Sequence, residues 1–477
     1  MKSSPTLPIA FLCLFSLFTG FLNAQEDAAK ESVKNEAETD SSGLDFAPAG
    51  ILQDGFGYMG FVLYFLPEPI EDPASLFPVL AKEAFPGVEA EAMVTEVRLE
   101  VAEPLVGYYT EKAPLESFVP PDESLMPHVA KGLTDEQMEQ VQKTDRAFII
   151  RLAYSKDNIL SNVREANLLI SKFAKRTGAL IWDSTTRELY TVESFEARRI
   201  DTWPELKSPD IRSQISVNVY RKEENKFCRA VTLGMRKFGL PDLVIQDFAW
   251  SDHRGAANLI NLVAQNLLET GGFETPEKTK ISIKEIFNEG FKESLTKSLV
   301  GEAAGEAHIQ VLRGKWQDGD ASNRLLEIGF GHYQGQNVQL RQARLFDELF
   351  GYEDSVTNVR HDKKIKAASD KAKAMLPALR TRFNNGLPTG EAILLKAPFT
   401  KDDGGNEWMW VEVTEWERKG EVSGILRNEP MHIKGLHAGM EVSFAEADVF
   451  DFLMRKADGS VEGNQTGKLV REKTEKK

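Results

Sequence analysis

The sequence is short of cysteine, of histidine, of basic charge and of long apolar runs. Its 477 residues contain two cysteines, Cys13 and Cys228. Cys13 lies inside an N-terminal apolar stretch that is expected to be removed. Leu12 before it is not the small residue of a lipoprotein anchor, and the apolar stretch continues past it. The mature chain then keeps one thiol, so no intramolecular disulfide is available and stability must come from a core or a partner. Cys228 sits in the strand-like run 226–231 and reads as a buried structural cysteine. Lys and Arg number 58 against 73 Asp and Glu, a net charge of −15, which lacks the basic footprint of a nucleic-acid partner. After the N-terminus no apolar run approaches the roughly 20 residues that cross a bilayer, so no stable membrane insertion is expected. The seven histidines form no His-Glu-x-x-His pattern and no Cys/His pair, so neither a metal nor a cofactor is expected.

Lys2 followed by the short apolar core 9–18 and the small residue Ala24 reads as a signal peptide over 1–24. The protein is therefore expected to be exported, to a periplasm or the cell exterior. Residues 25–45 are rich in Glu, Asp, Lys, Ser and Ala and read as a disordered acidic linker. A mature chain of about 450 residues suggests roughly three domains. The expected division is an α+β unit over 46–275, a middle α+β segment over 276–360 and a C-terminal unit over 361–477. The fold class expected is multidomain α+β: a layered N-terminal region, then a small curled antiparallel sheet with one helix.

Local patterns support that reading. An apolar strand at 61–66 precedes Asp72-Pro73, an N-cap with proline at the first helical position, and Leu76, Phe77, Leu80 and Phe85 mark a short helix. Val97, Leu99 and Val101 alternate with charge, the mark of a half-buried strand. Pro104, Pro114, Pro120, Pro121 and Pro127 suggest an irregular loop. A strand at 147–154, an amphipathic helix over 160–175 ending at Gly178, and a strand at 179–183 form the clearest unit. Strand 243–248 and the stripe Leu259, Ile260, Val263 and Leu267 resemble it. Segments 308–312 and 324–328 read as a hairpin around an Asp318-Gly319 turn. Leu345, Phe346, Leu349 and Phe350 suggest a short helix. The last unit opens with a helix over 367–383 containing Pro377, followed by strands at 392–397, 407–416, 422–427 and 441–444.

Several spellings of function fail on physical grounds. Gly55-Phe56-Gly57-Tyr58-Met59-Gly60 has dinucleotide-loop spacing, but such a loop opens a helix and here the glycines read as a turn before a strand. Ser251-Asp252-His253 has the residue types of a hydrolase triad, yet three adjacent residues cannot converge on one another. Asp252 reads instead as a helix cap. Glu302, Glu306 and His308 read as a solvated surface. The segment 402–410 stands apart. Asp402, Asp403, Asn406, Glu407, Trp408 and Trp410 gather acids, an amide and tryptophans around a Gly404-Gly405 turn entering a strand. Period-two alternation places Trp408, Trp410 and Trp416 on one face and Met409, Val411 and Val413 on the other. The tryptophan face is either a partly exposed contact surface or one covered by neighbouring structure.

Residues 396–399 (Lys-Ala-Pro-Phe), 404–411, Asn428-Glu429-Pro430 and 439–442 together resemble the YegJ-like family, domain of unknown function 2314. Asp451 and the preceding helix follow its order. Trp408 stands where that family often has histidine, and Phe452 where it often has tryptophan. Residues 147–154, 177–182 and 232–243 resemble domain of unknown function 4261. Within the last of these, Gly239 permits a turn and Pro241-Asp242 restarts a strand. Neither resemblance implies a chemistry.

The residues therefore point to a non-catalytic binding or interaction module contacting a protein or small ligand through 402–410. The alternative is a hydrolase in which Asp402, Asp403, Glu407, His432 and His437 supply acid–base groups. A structural or assembly role, with the acidic linker as spacer, is a third reading.

Overall fold

The structure is a computed structural model that describes residues 44–467, except 67, 94–102, 113–114, 116–117, 204–206, 223–226, 301–302, 352–362, 389, 403, 431 and 458–459. The segment 1–24 expected to be a signal peptide, nearly all of the expected acidic linker, the alternating run 97–101, Glu302, Asp403 and the C-terminal tail 471–477 lie outside the described residues. The chain has a multidomain α+β fold with three large sheets.

The first sheet has seven strands in the order Ala90–Ala92, Leu105–Lys112, Arg146–Ser155, Phe56–Phe65, Ala179–Asp183, Glu188–Tyr190, Ala130–Lys131. Helix Ile159–Thr177 links Arg146–Ser155 to Ala179–Asp183, and Phe56–Phe65 lies between those strands, antiparallel to both. The sheet is buried on both faces. Phe61, Leu63, Phe148 and Ile150 meet helices Pro73–Ala84 and Ile159–Thr177, with the Phe77 ring 5.4 Å from Phe173. Val62, Tyr64, Ala147 and Ile149 pack on Phe118, Met126 and Val141. Double burial explains why Phe56–Phe65 reads as an almost continuous apolar run. Asp72 caps Pro73–Ala84 as expected, its Oδ2 accepting from the Ser75 N–H at 3.0 Å.

Two expectations for this sheet need correction. The stretch with the five prolines contains a full strand, Leu105–Lys112, paired along its length with Arg146–Ser155. Pro104 precedes the strand and none of the five prolines falls within Leu105–Lys112, which leaves its ladder N–H groups intact. The glycine triplet does not precede a strand: Gly57 and Gly60 lie within Phe56–Phe65. A Cβ at Gly57 would stand 2.3 Å from the Lys237 carbonyl oxygen, and one at Gly60 would stand 2.5 Å from the Ser184 hydroxyl. These glycines permit close approach of neighbouring segments and have no bearing on phosphate.

The second sheet runs Thr279–Ser282, Glu306–Arg313, Leu325–Gly329, Asp242–Phe248, Cys228–Leu233, Ser216–Arg221. Glu306–Arg313 and Leu325–Gly329 form the expected hairpin. Strands on either side of residue 275 thus hydrogen-bond in one sheet. Helices His253–Thr270 and Val338–Phe350 cover it, and its inner face joins the first sheet in one continuous core that includes Phe61, Ile245, Leu259 and Phe346. Cys228 is buried in that core and desolvation pushes its thiol up to about 12, which leaves it inert near neutral pH.

The two sheets are also joined by buried charge. Gly234 (φ +115°) and Gly239 (φ +66°) bracket the short helical turn Met235–Phe238, which turns Lys237 inward. Lys237 Nζ donates to Asp183 Oδ2 at 2.6 Å and to the Gln214 carbonyl at 3.0 Å. Arg199 donates to Asp183 Oδ2 at 3.2 Å and to Glu188 Oε2 at 2.8 Å. Lys237, Asp183 and Arg199 are fully buried. Burial alone would raise Asp183, but Lys237 and Arg199 outweigh it and hold the carboxyl at about 2, while burial brings Lys237 down to about 8.

Asp183→Asn should leave Lys237 and Arg199 without their shared acceptor, at a cost of about 3–5 kcal/mol in urea unfolding. Because the folded pKa of Asp183 is depressed, its contribution is present above the ordinary carboxylate range. It is lost as pH falls through that range towards about 2, so the gap between wild type and variant should narrow in acid. Gly57→Ala should destabilise by about 1–3 kcal/mol in the same assay, since its Cβ would meet backbone.

Candidate functional site

The third sheet is antiparallel throughout, in the order Glu441–Ala445, Glu421–Leu426, Asn406–Trp416, Ala392–Thr400, Asp451–Arg455, Val461–Gly463. Helix Lys363–Asn384 lays Ala372, Leu376 and Leu379 on one face, against Ile393, Leu395 and Val413. Met409 and Val411 continue that face under Ile433 and Leu436.

Strand Asn406–Trp416 carries most of the expected site, and its tryptophans divide. A register shift between Val413 and Glu415 inserts one extra residue opposite Glu421–Leu426. Residues beyond the bulge change face, so Trp416 packs with Val413 under the helix, where its Nε1 donates to Glu446 at 2.8 Å. The expectation that Trp408, Trp410 and Trp416 share a face is overturned for Trp416.

Trp410 and Trp408 occupy the opposite face, which is covered. Trp410 is 6 % exposed and packs with Ala392, Leu394 and Trp250, the last contributed by the first part of the chain. Lys396, on the adjacent strand, is 1 % exposed and holds its Nζ 5.5 Å from the Trp410 ring. Burial lowers the Lys396 pKa, and Asp451 opposes the shift. Asp451 accepts from the N–H and hydroxyl of Thr466 at 2.9 and 2.6 Å. Trp408 is half-buried, its ring 4.6 Å from Phe450.

The acidic turn faces outward. Gly404 and Gly405 both have positive φ, the left-handed backbone that lets the chain reverse here. Asp402 and Asn406 are exposed, and Glu407 is buried. Both described carboxylates act on backbone: Asp402 Oδ2 accepts from the Lys434 N–H and Glu407 Oε2 from the His432 N–H, each at 3.1 Å. The Asp402 N–H returns a bond to the His432 carbonyl. The turn and loop 432–434 therefore brace each other. His437 is separate from them. Its Nδ1 lies 3.0 Å from Glu429 Oε1, while Glu429 Oε2 accepts from the Ala438 N–H. The structure thus brings Asp402, Glu407 and His432 together through main-chain bonds and gives His437 a different carboxylate. Among the described residues no group of three or more His, Cys, Asp or Glu is arranged to hold a metal.

The alternation that marks the tryptophans passes over Glu412, a carboxylate that joins this strand to the earlier part of the chain. Glu412 is 2 % exposed; its Oε2 accepts from the Ser251 N–H at 2.7 Å and its Oε1 lies 3.3 Å from Arg221. Ser251 stands at the entrance to helix His253–Thr270, where a carboxylate is favoured by free N–H groups and the helix dipole. Asp252 occupies the N-cap position but makes no side-chain cap bond, contrary to expectation, because its carboxylate pairs with Arg427 at 2.5 Å. A glutamate between two tryptophans in a strand was the one available signal, since alternation places it on a covered face.

The third sheet and the helix over it define one unit, and it is the unit that the comparisons recognise. Residues 362–477 match the family model described as "Uncharacterized protein conserved in bacteria (DUF2314)". No curated protein and no solved structure matches the chain. The DUF2314 stretch holds every residue expected to form the site and leaves the first two sheets outside. Among the described residues no helix is long and apolar enough to cross a membrane.

Removing the Glu407 carboxylate leaves the His432 N–H without its acceptor. Glu407→Ala should speed amide exchange at 432–434 while lowering global stability by about 1 kcal/mol, read by hydrogen exchange and urea unfolding.

Proposed function

We propose that the protein is an exported, non-catalytic binding module that contacts a protein or small ligand through the braced turn 402–406 and loop 432–434. The supporting observation is that Asp402 and Glu407 direct their carboxylates to the Lys434 and His432 N–H groups, which holds a turn with exposed Asp402, Asn406 and His432 in one shape. A surface ordered before binding loses less entropy when it binds. Met409 and Val411 support the loop from below through Ile433 and Leu436. Export rests on the Lys2, 9–18 and Ala24 pattern. We further propose kinship of 46–275 with domain of unknown function 4261, and of the DUF2314 unit with the YegJ-like proteins, on the motifs quoted above.

A hydrolase is the second reading, and the observation that favours it is the His437–Glu429 pair, a half-buried imidazole oriented by a carboxylate as a general base would be. The two readings separate in one experiment. The mature protein is used as bait in extracts of its own cells, beside an Asp402→Arg/Asn406→Arg double variant, with mass spectrometry of what is retained. One specific partner, reduced at least about tenfold by the double variant, is expected. Retention unchanged in the folded variant, or no partner together with hydrolysis that requires His437, overturns the binding reading.

A further inference from the structure

The face that carries Trp408, Trp410, Lys396 and Glu412 is closed by the first part of the same chain. Trp250 belongs to both sides of the joint. Its ring borders the core shared by the first two sheets, it packs with Ala392, Leu394 and Trp410, and its Nε1 donates to the Glu391 carbonyl at 2.8 Å. Around it the contacts are polar and charged. Glu412 sits against the Ser251 N–H and Arg221, Arg427 pairs with Asp252, and Arg455 donates to the Ser251 carbonyl at 2.6 Å. Asn337 donates to the Ala438 carbonyl on another edge.

Two features mark this joint as something other than ordinary core. Its apolar part is small: the cluster around Trp410 contains Ala392, Leu394, Trp250 and Leu453, and it is separate from the clusters that stabilise either side. Contacts within a chain that are polar and modest in apolar area permit relative motion of the parts. In addition, the turn Trp250–Asp252 that leads into helix His253–Thr270 gives the His253 N–H its acceptor at the Trp250 carbonyl, while its Ser251 N–H takes the Glu412 carboxylate from the other side and Asp252 pairs with Arg427. The Ser251 hydroxyl is buried beside it without a hydrogen-bond partner among the described residues. A buried N–H whose acceptor comes from another unit makes the docking of the two units part of its own satisfaction.

We propose that the Trp410-bearing face of the DUF2314 unit is a docking surface whose occupant is the 250–254 segment of the same chain, clamped reversibly by Glu412 and Arg427. Release of the clamp uncovers Trp410 and Glu412 together, leaving both units folded. The proposal does not rest on the binding reading above, because the outward turn 402–406 stays accessible whether the clamp is closed or open.

The test is hydrogen exchange on the full chain with no partner present, comparing wild type with Glu412→Gln/Arg427→Ala. Exchange at amides 251–254 is expected to rise at least about tenfold, while amides 56–65 and the ladder amides 408–412 keep wild-type protection. The charge swap Asp252→Arg/Arg427→Asp should return protection at 251–254 towards the wild-type level. Unchanged exchange at 251–254 in the folded double variant overturns the proposal. So does an equal loss of protection in 56–65, since the contacts would then serve the cooperative stability of a single body.

Discussion

The Glu412 carboxylate at the start of helix His253–Thr270 is the contact around which the arrangement of the chain is organised. A charge that is almost fully buried is unfavourable unless donors surround it. Glu412 finds them only on the far side of the joint, in the Ser251 N–H and the Arg221 guanidinium. The Ser251 N–H in turn takes its acceptor from Glu412. Each side therefore holds what the other needs, and Trp250, Arg455 and Arg427 follow from that placement. Trp410 and Lys396 are interior residues, whereas Asp402 and Asn406 of the turn face outward.

The joint between the first two sheets obeys different physics. There the core is continuous and apolar, and the charged group of Lys237, Asp183, Arg199 and Glu188 is enclosed within it. Such a group is weak evidence for stability in itself, but each member depends strongly on the others. Gly57 admits the Lys237 carbonyl, and Gly234 and Gly239 set the backbone that turns Lys237 inward. One junction is thus locked by apolar burial around compensated charge. The other is held by a few charged contacts around one tryptophan, which is why it can open without unfolding either side.

Much of the fold was legible because its signals are local. Asp72-Pro73, the stripe of Ile159–Thr177 with its Gly178 stop, and the hairpin of Glu306–Arg313 with Leu325–Gly329 all appeared where their patterns indicated. The misses share a non-local cause. Leu105–Lys112 is a strand because Arg146–Ser155 offers it a partner, and its flanking prolines obscured that. Trp416 left its expected face because one extra residue opposite Glu421–Leu426 reverses the alternation. Asp252 sits where a cap belongs, yet a guanidinium 175 residues away in sequence attracts it more strongly than the local amides. In the candidate strand the alternation separated Trp408 and Trp410 from Met409, Val411 and Val413, but it carried no sign of the reversal at Trp416 or of what covers each face.

Sequence by itself determined most of the locally signalled elements and where glycine stops them. It also determined that residues 362–477 carry the DUF2314 pattern, because spaced motifs survive in the linear order. Only the tertiary structure decided what those residues face. Whether Trp410 meets solvent or Trp250, and whether Glu412 is a surface acid or the acceptor for the Ser251 N–H, depends on how distant parts of the chain pack. Alternation along a strand gives two faces, and burial of one or both is settled by what packs against them.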